Sequence, residues 1–394
     1  MFHPPVQINQ MKQKERPLLL MIHGHTDLYG SGKIFMQVLE ALQQDFDLLV
    51  VLPREGAALD AIMREGYAVQ LLDVGTLESR FNTSFGMVNR ALANIGAIWN
   101  LIHLIRRKKV DLVYTNTFAV ISGPIAARLT KRKSVWHCHE SLEGPKKFMS
   151  FTRWLIKKAA SLTIAVSDFT KNHWAQNNPE LIQKIKTIRN GIDPLPITKN
   201  NHKRNDLKVI RVGIIARITA QKGVFFAVEV LKALREQSSV NIEFVWVGDA
   251  VPTDKETLPR LKSTIRENGL ESRFLLPGFR TDIGNFLQEI DIYFHPNVEN
   301  DSFPTTILEA MYARLPVVAG NQGGATEMIK QGATGYLVST QDTSEPVAQL
   351  MRLANDQSLR EKFGENGYQR MQHVFTKPQF AEKINLTFHQ ILAE

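Results

Sequence analysis

The stretch Thr198-Lys-Asn-Asn-His-Lys-Arg-Asn-Asp206 contains no apolar residue and divides the chain into two parts. On both sides of it, short apolar and β-branched runs alternate with segments of helical periodicity. Such alternation is typical of parallel sheets that are covered by helices on both faces. We therefore predict an α/β protein of two tandem, doubly wound Rossmann-like domains joined by a polar linker.

The predicted strands before the polar stretch lie at Leu18–His23, Leu48–Leu52, Ala68–Leu72, Asp111–Thr115, Ser134–His137, Leu162–Val166 and Ile185–Arg189. After it they lie at Val209–Ile215, Glu243–Val247, Phe274–Leu276, Ile292–Phe294 and Val317–Ala319. Helices are predicted between the strands, and from about residue 343 the chain is predicted to be helical. The predicted boundaries are an N-terminal domain at 1–196, a linker at 197–208, a C-terminal domain at 209–375 and a last helix at 376–394 that crosses back to the first domain.

The composition of the 394 residues, 43% hydrophobic and 22% charged, is ordinary for globular proteins and excludes a disordered or fibrous chain. The single cysteine, Cys138, forbids an intramolecular disulfide and argues against a disulfide-stapled secreted protein. The N-terminus lacks the pattern of a signal peptide, and no apolar run approaches a membrane span. We therefore expect a cytoplasmic protein that meets a membrane only from its surface.

The net charge of +9 comes from one segment, residues 101–160, which holds 13 basic and three acidic residues. A basic excess can indicate nucleic acid, anionic lipid or phosphorylated substrates. The segment lacks the interleaved aromatic residues of a base-stacking platform, so we expect no nucleic-acid partner. A helix over 145–158 would instead place Phe148, Phe151 and Leu155 on one face, beside Trp154 and flanking lysines, which is typical of helices at an anionic membrane surface. A core-packed helix with solvated lysines is the alternative.

Residues that directly follow the strands are the candidates for ligand binding, because ligands of open α/β sheets bind outside the carboxyl ends of the strands. In the first domain, Gly30-Ser-Gly32-Lys33 opens a helix, where backbone N–H groups and the helix dipole can hold a phosphate. His137-Cys-His139-Glu140 follows another strand. Neighbouring strand positions point to opposite faces and no further Cys/His pair is available, so we expect no metal and a role for His139 in a cleft. For His137, a structural role stays open.

In the second domain, Arg217 and Lys222 follow the first strand and precede a helix. A guanidinium and an ammonium at this edge suit a diphosphate, although a solvated pair in a loop is the alternative. The sequence Asn297-Val-Glu-Asn-Asp301-Ser-Phe-Pro304-Thr follows a later strand, with Pro304 predicted in the first turn of a helix and Glu309 two turns from Asp301. Because an unpaired buried carboxylate is costly, Glu309 requires a partner such as a sugar or ribose hydroxyl pair. A capping Asp and a solvated Glu are the alternative.

These motifs, in this order and spacing, resemble those of the GT-B glycosyltransferases of family 4 over essentially the whole chain. The resemblance also includes Asn190-Gly191-Ile-Asp, Val247-Gly248-Asp, Pro277-Gly278-Phe, Pro316-Val-Val and Gly323-Gly324-Ala-Thr-Glu327. It implies retaining transfer of a sugar from a nucleotide diphosphate donor in the cleft between the domains, with no cofactor and no metal. It also implies site residues with three roles: catalytic residues His139 and Asp301; donor contacts from Gly32, Arg217, Lys222, Phe279, Arg280, Phe303, Pro304, Thr305 and Glu309; and acceptor-side contacts from Tyr29, Asn116 and Glu140.

The acidic motif departs from the family pattern, Glu-x7-Glu. The first position, counted back from Glu309, is Asp301, which keeps the charge but is one methylene shorter, and Glu299 is the alternative first acid. Pro304 stands where the family usually has glycine. Cations and helix N-termini would stabilise the departing nucleoside diphosphate, and the Asp301 carboxylate would favour the positive charge that develops on the sugar. With no second carboxylate placed as a nucleophile, we expect front-face transfer assisted by the leaving group.

The function predicted from the sequence is therefore transfer of a sugar to a glycan or lipid-linked acceptor in the synthesis of a cell-surface polysaccharide, such as lipopolysaccharide or capsule. Residues 101–160 would hold the protein at the inner face of the cytoplasmic membrane. Two alternatives stay open: a nucleotide-sugar 2-epimerase of the same fold, which needs no acceptor, and a nucleic-acid-binding protein that uses the basic segment.

Overall fold

Two parallel sheets, each covered by helices, make up the computed structural model of the chain, which describes residues 16–26, 30–76, 84–141, 146–196 and 209–394. The α/β prediction with two tandem Rossmann-like units is confirmed. The polar linker predicted at 197–208 and Tyr29, predicted on the acceptor side, lie outside the described residues. Among the described residues, no helix combines the length and hydropathy that a membrane span requires.

The N-terminal unit holds every strand predicted there, with ends that differ by a residue or two. Its strands are β1 (Leu18–His23), β2 (Asp47–Leu52), β3 (Ala68–Leu71), β4 (Leu112–Asn116), β5 (Lys133–Cys138), β6 (Leu162–Ala165) and β7 (Ile185–Thr187). Its helices are α1 (Ser31–Leu42), α2 (Ala57–Arg64), α3 (Ser84–Lys108), α4 (Ser122–Leu129), α5 (Lys146–Lys158), α6 (Asp168–Ala175) and α7 (Pro179–Lys184).

The C-terminal unit adds one strand that the sequence did not predict, β13. Its strands are β8 (Val209–Ile215), β9 (Asn241–Val247), β10 (Phe274–Gly278), β11 (Ile292–His295), β12 (Val317–Gly320) and β13 (Gly335–Val338). Its helices are α8 (Val224–Gln237), α9 (Thr257–Glu267), α10 (Ile283–Gln288), α11 (Thr305–Tyr312), α12 (Ala325–Met328), α13 (Ser344–Asn355) and α14 (Gln357–Val374). The chain then continues into α15 (Lys377–Ala393).

The strand order is the same in six strands of each sheet, and β7 extends the edge of the first sheet. The order is β3-β2-β1-β4-β5-β6-β7 in the first sheet and β10-β9-β8-β11-β12-β13 in the second. In each sheet the order reverses beside the first strand, between β1 and β4 or between β8 and β11. Ligands of such sheets bind in the crevice at this switch point, outside the carboxyl ends of the strands. A ligand is therefore expected near His23 and Asn116 in the N-terminal unit and near the residues that follow Ile215 and His295 in the C-terminal unit.

Helix α15 belongs to the core of the N-terminal unit. Its buried residues Phe380, Ile384, Phe388 and Ile391 pack with apolar residues of β1, β4 and α1. The chain therefore passes between the units twice, once through 197–208 and once before α15. At the second passage, Ile192 donates its N–H to the Phe375 carbonyl at 3.1 Å, and Lys377 donates its N–H to the Ile192 carbonyl at 3.3 Å.

Helix α5 turns a different face to solvent from the predicted one. Leu155 is buried in the core and Phe148 is partly buried against it, so the predicted Phe148–Phe151–Leu155 interfacial face is wrong. Phe151 and Trp154 are 45% and 55% exposed, and their rings stack with centroids 6.1 Å apart. The sequence contains two overlapping apolar stripes on this helix, and the more continuous one packs on the sheet.

Candidate active site

The C-terminal wall of the cleft presents two cations after β8. Arg217 follows the strand by two residues, is exposed, and forms no ion pair with any residue that the structure describes. Lys222 ends a 3₁₀ turn, and its own N–H donates a hydrogen bond to the hydroxyl oxygen of the N-cap residue Thr219 at 3.3 Å. Gly223 follows at φ 77°, and a Cβ there would meet the Pro296 carbonyl oxygen at 1.9 Å. Glycine is therefore required directly after Lys222, where it lets the turn pack against the chain that follows β11.

Lys222 already has a partner, because its Nζ lies 2.5 Å from Oδ2 of Asp301. The two side chains are about three-quarters buried, and Asn297 donates a further hydrogen bond from Nδ2 to the same oxygen at 3.3 Å. Burial alone would raise the pKa of Asp301, but the charge and the hydrogen bond of Lys222 outweigh burial and hold the pKa below its ordinary value. The carboxylate is therefore ionised at neutral pH. Glu299, the alternative first acid, has an exposed side chain.

The Asp301 loop rests on the glycine pair that precedes α12. A Cβ on Gly323 would meet the Asp301 carbonyl oxygen at 2.3 Å, and Gly324 donates its N–H to that oxygen at 2.8 Å. Phe303, predicted to contact the donor, is 6% exposed and packs its ring against Phe375. Its side chain is therefore part of the core, and its backbone N–H donates to Oδ1 of Asp301 at 3.3 Å.

Pro304 was predicted in the first turn of a helix, but it is the N-cap of α11 and therefore stands one residue before that turn. Thr305 opens the helix and is partly exposed. Glu309 lies on the same helix, and its carboxylate forms no hydrogen bond with any described residue. Burial raises the pKa of Glu309, and Lys33 of α1 partly offsets this rise. Lys33 belongs to the N-terminal unit, so this interaction crosses the cleft. The phosphate-side residue Gly32 precedes Lys33 and is buried at the start of α1.

The predicted nucleobase loop follows β10. Phe279 is half exposed, whereas the Arg280 guanidinium is held by two carboxylates, Asp282 at 2.7 Å and Glu289 at 2.8 Å. These hydrogen bonds raise the pKa of Arg280 above its already high ordinary value. Arg280 is therefore fixed as a structural element of the loop, and a ligand would contact it through the face or edge that these acids leave open.

On the N-terminal wall, a buried polar network surrounds the ends of β4 and β5. The Nε2 atom of His139 lies 2.7 Å from Oδ1 of Asn116, and the Tyr114 hydroxyl lies 2.9 Å from the same oxygen and 2.7 Å from Nδ1 of His137. Burial lowers the pKa of His137 to about 3 and that of His139 well below its ordinary value, the latter with help from His137 and His25. Both rings are therefore neutral near pH 7. Asn116 is fully buried, so it can act on an acceptor substrate only through the residues that it contacts.

Glu140 uses both carboxylate oxygens within its own unit. Oε1 accepts a hydrogen bond from the Thr117 hydroxyl, and Oε2 accepts from the backbone N–H groups of Phe118 and His139 at 3.3 and 3.2 Å. Thr117 has φ 82°, a conformation that costs a β-branched residue energy. Glu140 therefore stabilises the loop after β4. These hydrogen bonds give no support to its predicted contact with the acceptor substrate.

Contacts between the units frame the cleft. Glu327 accepts a hydrogen bond from the Phe169 N–H at the start of α6, at 2.7 Å, and another from Nε of Arg189 at 2.9 Å. The hydroxyl oxygens of Ser141 and Ser302 lie 2.9 Å apart across the cleft. The glutamate of the Gly323–Glu327 motif therefore joins the two domains, a role that the sequence did not suggest.

Two further residues of the site escaped the sequence analysis. His295 ends β11 beside Asp301 and Lys222, and burial lowers its pKa to about 4. The charge of Lys33, which belongs to the other unit, partly offsets the rise in the pKa of Glu309. The position of His295 as the last residue of its strand is a signal that the sequence does carry, because ligands bind outside the carboxyl ends of strands. Among the described residues, no cluster of three His, Cys, Asp or Glu side chains could hold a metal ion.

Two family profiles together span most of the chain. Residues 28–194 match the family described as Glycosyltransferase Family 4, and residues 197–370 match that described as Glycosyl transferases group 1. The UDP-Gal:alpha-D-GlcNAc-diphosphoundecaprenol alpha-1,3-galactosyltransferase of Escherichia coli is 27% identical over 337 residues, 80% of this chain and 84% of that protein. The capsular polysaccharide biosynthesis glycosyltransferase CapM of Staphylococcus aureus is 24% identical over 319 residues, 77% of this chain and 82% of that protein.

Solved structures share the fold at low sequence identity. Anabaena Alr3699/HepE in complex with UDP-glucose superposes with a TM-score of 0.78 at 22% identity, over 95% of this chain and 99% of that one. WaaG, a glycosyltransferase involved in lipopolysaccharide biosynthesis, superposes with a TM-score of 0.68 at 14% identity, over 94% of this chain and 99% of that one. Both likenesses extend over the two units together.

Proposed function

The chain belongs to the family 4 and group 1 glycosyltransferases, and on this premise we propose that it transfers a sugar, with retention of configuration, from a uridine diphosphate donor to a lipid-linked or glycan acceptor of a cell-surface polysaccharide. The observation that carries the proposal is the pair of cations after β8, Arg217 and Lys222. Opposite them, the N-terminal unit contributes the start of α1 to the cleft. This arrangement suits a diphosphate in the cleft between the units.

The chemistry follows from the charges on the C-terminal wall. Departure of a nucleoside diphosphate places negative charge on its phosphate oxygens, and preorganised cations stabilise that charge without reorganising. Arg217 is available for a bidentate contact, and we propose that Lys222 turns from Asp301 to the diphosphate when the donor binds. Asp301 is then released to favour positive charge on the sugar ring. Glu309 would bind the ribose hydroxyls, and no metal would be needed.

The class of acceptor is supported by an exposed surface on the N-terminal unit. Helices α3, α4 and α5 cover the same face of the sheet in that order, and they carry most of the basic residues of 101–160. Trp99 of α3 is 71% exposed, and Phe151 and Trp154 of α5 are half exposed between Lys147 and Lys158. Exposed aromatic residues among lysines are typical of surfaces that bind anionic membranes, where a lipid-linked acceptor resides.

The direct test supplies UDP-galactose or UDP-glucose together with GlcNAc-diphosphoundecaprenol in detergent. We expect release of UDP that depends on the acceptor, a glycosylated lipid whose new linkage has the anomeric configuration of the donor, and the same rate in the presence of EDTA. An epimerised sugar nucleotide that forms without acceptor would favour the 2-epimerase instead. If neither product forms with any sugar nucleotide of a broad panel, the proposed function is wrong.

The membrane surface has its own test. Phe151 and Trp154 are replaced together by serine, and co-sedimentation with vesicles of phosphatidylglycerol and phosphatidylcholine is measured. The matched control is Met63→Ser, because Met63 is an equally exposed apolar residue on α2, on the other face of the sheet. We expect wild type and the control to sediment with anionic vesicles and the double variant to stay in solution. Equal sedimentation of all three would contradict the assignment of this surface.

A further inference from the structure

Asn116 lies at the centre of the polar network that contains His139, and its side-chain amide is fully used. Its Nδ2 donates to the Ser31 carbonyl oxygen at 3.1 Å and lies 2.9 Å from Nδ1 of His23. Its Oδ1 lies 2.9 Å from the Tyr114 hydroxyl and 2.7 Å from Nε2 of His139. An amide offers two hydrogens and two lone pairs, so the four contacts exhaust its capacity.

The Ser31 carbonyl fixes which way this amide points. A carbonyl oxygen can only accept a hydrogen bond, so the amide nitrogen has to face it. The reversed amide would bring two oxygens within 3.1 Å of each other. With the nitrogen on the Ser31 side, Oδ1 faces both Tyr114 and His139, and each of them has to donate. In the neutral ring of His139, Nε2 therefore carries the hydrogen and Nδ1 carries the lone pair.

The same argument extends to His137. The Tyr114 hydroxyl has one hydrogen, and Asn116 receives it. The Tyr114 oxygen therefore accepts a hydrogen bond from Nδ1 of His137, 2.7 Å away. The titratable groups that face His139 are His137, His25 and Glu140, whose carboxylate accepts from the His139 backbone N–H. His139 itself is partly exposed, and its Nδ1 has no hydrogen-bond partner among the described residues.

We propose that Asn116 is a positioning residue that selects the Nε2–H tautomer of His139 and so leaves the Nδ1 lone pair free to accept a hydrogen bond from a sugar hydroxyl. The proposal rests on the proposed function, in which His139 lies beside the sugar substrates. It assigns to Asn116 an action through His139 in place of the direct acceptor contact predicted from the sequence. It also links His139 to the start of α1, because the amide is oriented by the carbonyl of that helix's first residue.

The tautomer is read directly from the ring-nitrogen NMR shifts of protein labelled with ¹⁵N-histidine. The His139 signals are identified by their loss in His139→Gln. In wild type at pH 7.5 we expect a neutral ring with hydrogen on Nε2. In Asn116→Leu, which has a similar volume and no amide, we expect a mixture of tautomers. In Asn116→Asp, a carboxylate lies against Nε2, so we expect the protonation midpoint of His139 to rise. Tyr114→Phe is the matched control, because it leaves the Ser31 contact and hence the tautomer in place.

Kinetics give the second readout. We expect Asn116→Leu to lower kcat/KM for the acceptor by about 100-fold, the cost of misplacing a catalytic group by about an ångström, with KM for the donor within about twofold. We expect the acid limb of kcat to move to higher pH in Asn116→Asp. A wild-type ring with hydrogen on Nδ1, or charged at pH 7.5, overturns the proposal, as do unchanged tautomer and pH profile in both variants. The spectrum is informative even if no sugar is transferred, and absence of transfer overturns only the proposed function.

Discussion

The exposed cation Arg217 gives the sharpest test of the C-terminal wall. Arg217→Ala removes the guanidinium that forms no ion pair with any described residue, so its whole charge is available to a ligand. A unit charge 4 Å from a phosphate oxygen interacts by about 4 kcal/mol at an effective dielectric constant of 20. Loss of one preorganised charge-stabilising donor costs about 2.7–4 kcal/mol in transition-state stabilisation. We therefore expect kcat/KM for the donor to fall by about 10²–10³-fold.

Arg217→Lys distinguishes the contribution of the guanidinium's shape to donor binding from the contribution of its charge. Lysine keeps the charge but loses the planar fork that binds two phosphate oxygens together. We expect a loss of about tenfold, because one bidentate hydrogen bond to a charged group contributes roughly 1.5–3 kcal/mol and the ammonium restores part of it. A lysine variant as inactive as the alanine variant would show that bidentate geometry outweighs charge at this position.

Initial rates of nucleotide release are measured against donor concentration, with kcat and KM reported separately and UDP binding followed by calorimetry. The matched control is Arg266→Ala, since Arg266 is an arginine of α9 in the same unit, highly exposed and paired with Glu271. We expect the control to keep wild-type kinetics. If Arg217→Ala stays within about twofold of wild type while its melting temperature is unchanged, Arg217 does not bind the leaving group.

Three further outcomes test the packing and the charges. Phe388→Ala in α15 should lower the free energy of unfolding by about 3–5 kcal/mol in urea titrations, because the ring is fully buried against the first sheet; a loss below 1 kcal/mol would contradict this packing. The depressed pKa of Asp301 means that its pairing with Lys222 contributes stability above about pH 4 and loses it as the pH falls through the folded-state pKa. Lys222→Met leaves the Asp301 carboxylate without its cationic partner, so it should lower Tm at pH 7 more than at pH 4. An equal decrease in Tm at both pH values would argue against the ion pair. Glu327→Gln should weaken the contact between the units. We expect a larger radius of gyration in small-angle scattering or faster cleavage by protease, while circular dichroism shows unchanged secondary structure.

Much of the fold was predictable because each element carries a local signal. The runs Leu18–His23 and Val209–Ile215 are largely apolar, the second rich in Val and Ile, and parallel strands covered on both faces require such runs. Strand β13 was missed because it begins at Gly335, directly after Gly332-Ala-Thr, and glycine is depleted in strands, so the local composition indicates a turn. The face of α5 was misjudged because Phe148–Leu155 and Phe151–Trp154 are both apolar pairs, and only packing against the sheet decides between them.

The site was predictable as a set of residue types but not as a set of bonds. The ion pair of Lys222 and Asp301 joins residues 79 positions apart, and no periodicity relates them. The four contacts of Asn116 likewise depend on where a backbone carbonyl of α1 lies after folding. The bonds of Arg280 are different, since its partner Asp282 is only two residues away and could have been anticipated.

The place where the chain returns to the first sheet limits how the molecule can move. Residues 191–193 and 375–377 run side by side, joined by two backbone hydrogen bonds and by the ion pair of Lys377 with Asp193 at 2.9 Å. A Cβ on Gly191 would meet the Thr376 carbonyl oxygen at 2.5 Å, so the two segments touch backbone to backbone. Because the two passages are bonded to each other at this point, they cannot part without breaking these bonds. Any rotation of one unit relative to the other would therefore pivot near residues 192 and 376, and the parts of the cleft farthest from this point would move most.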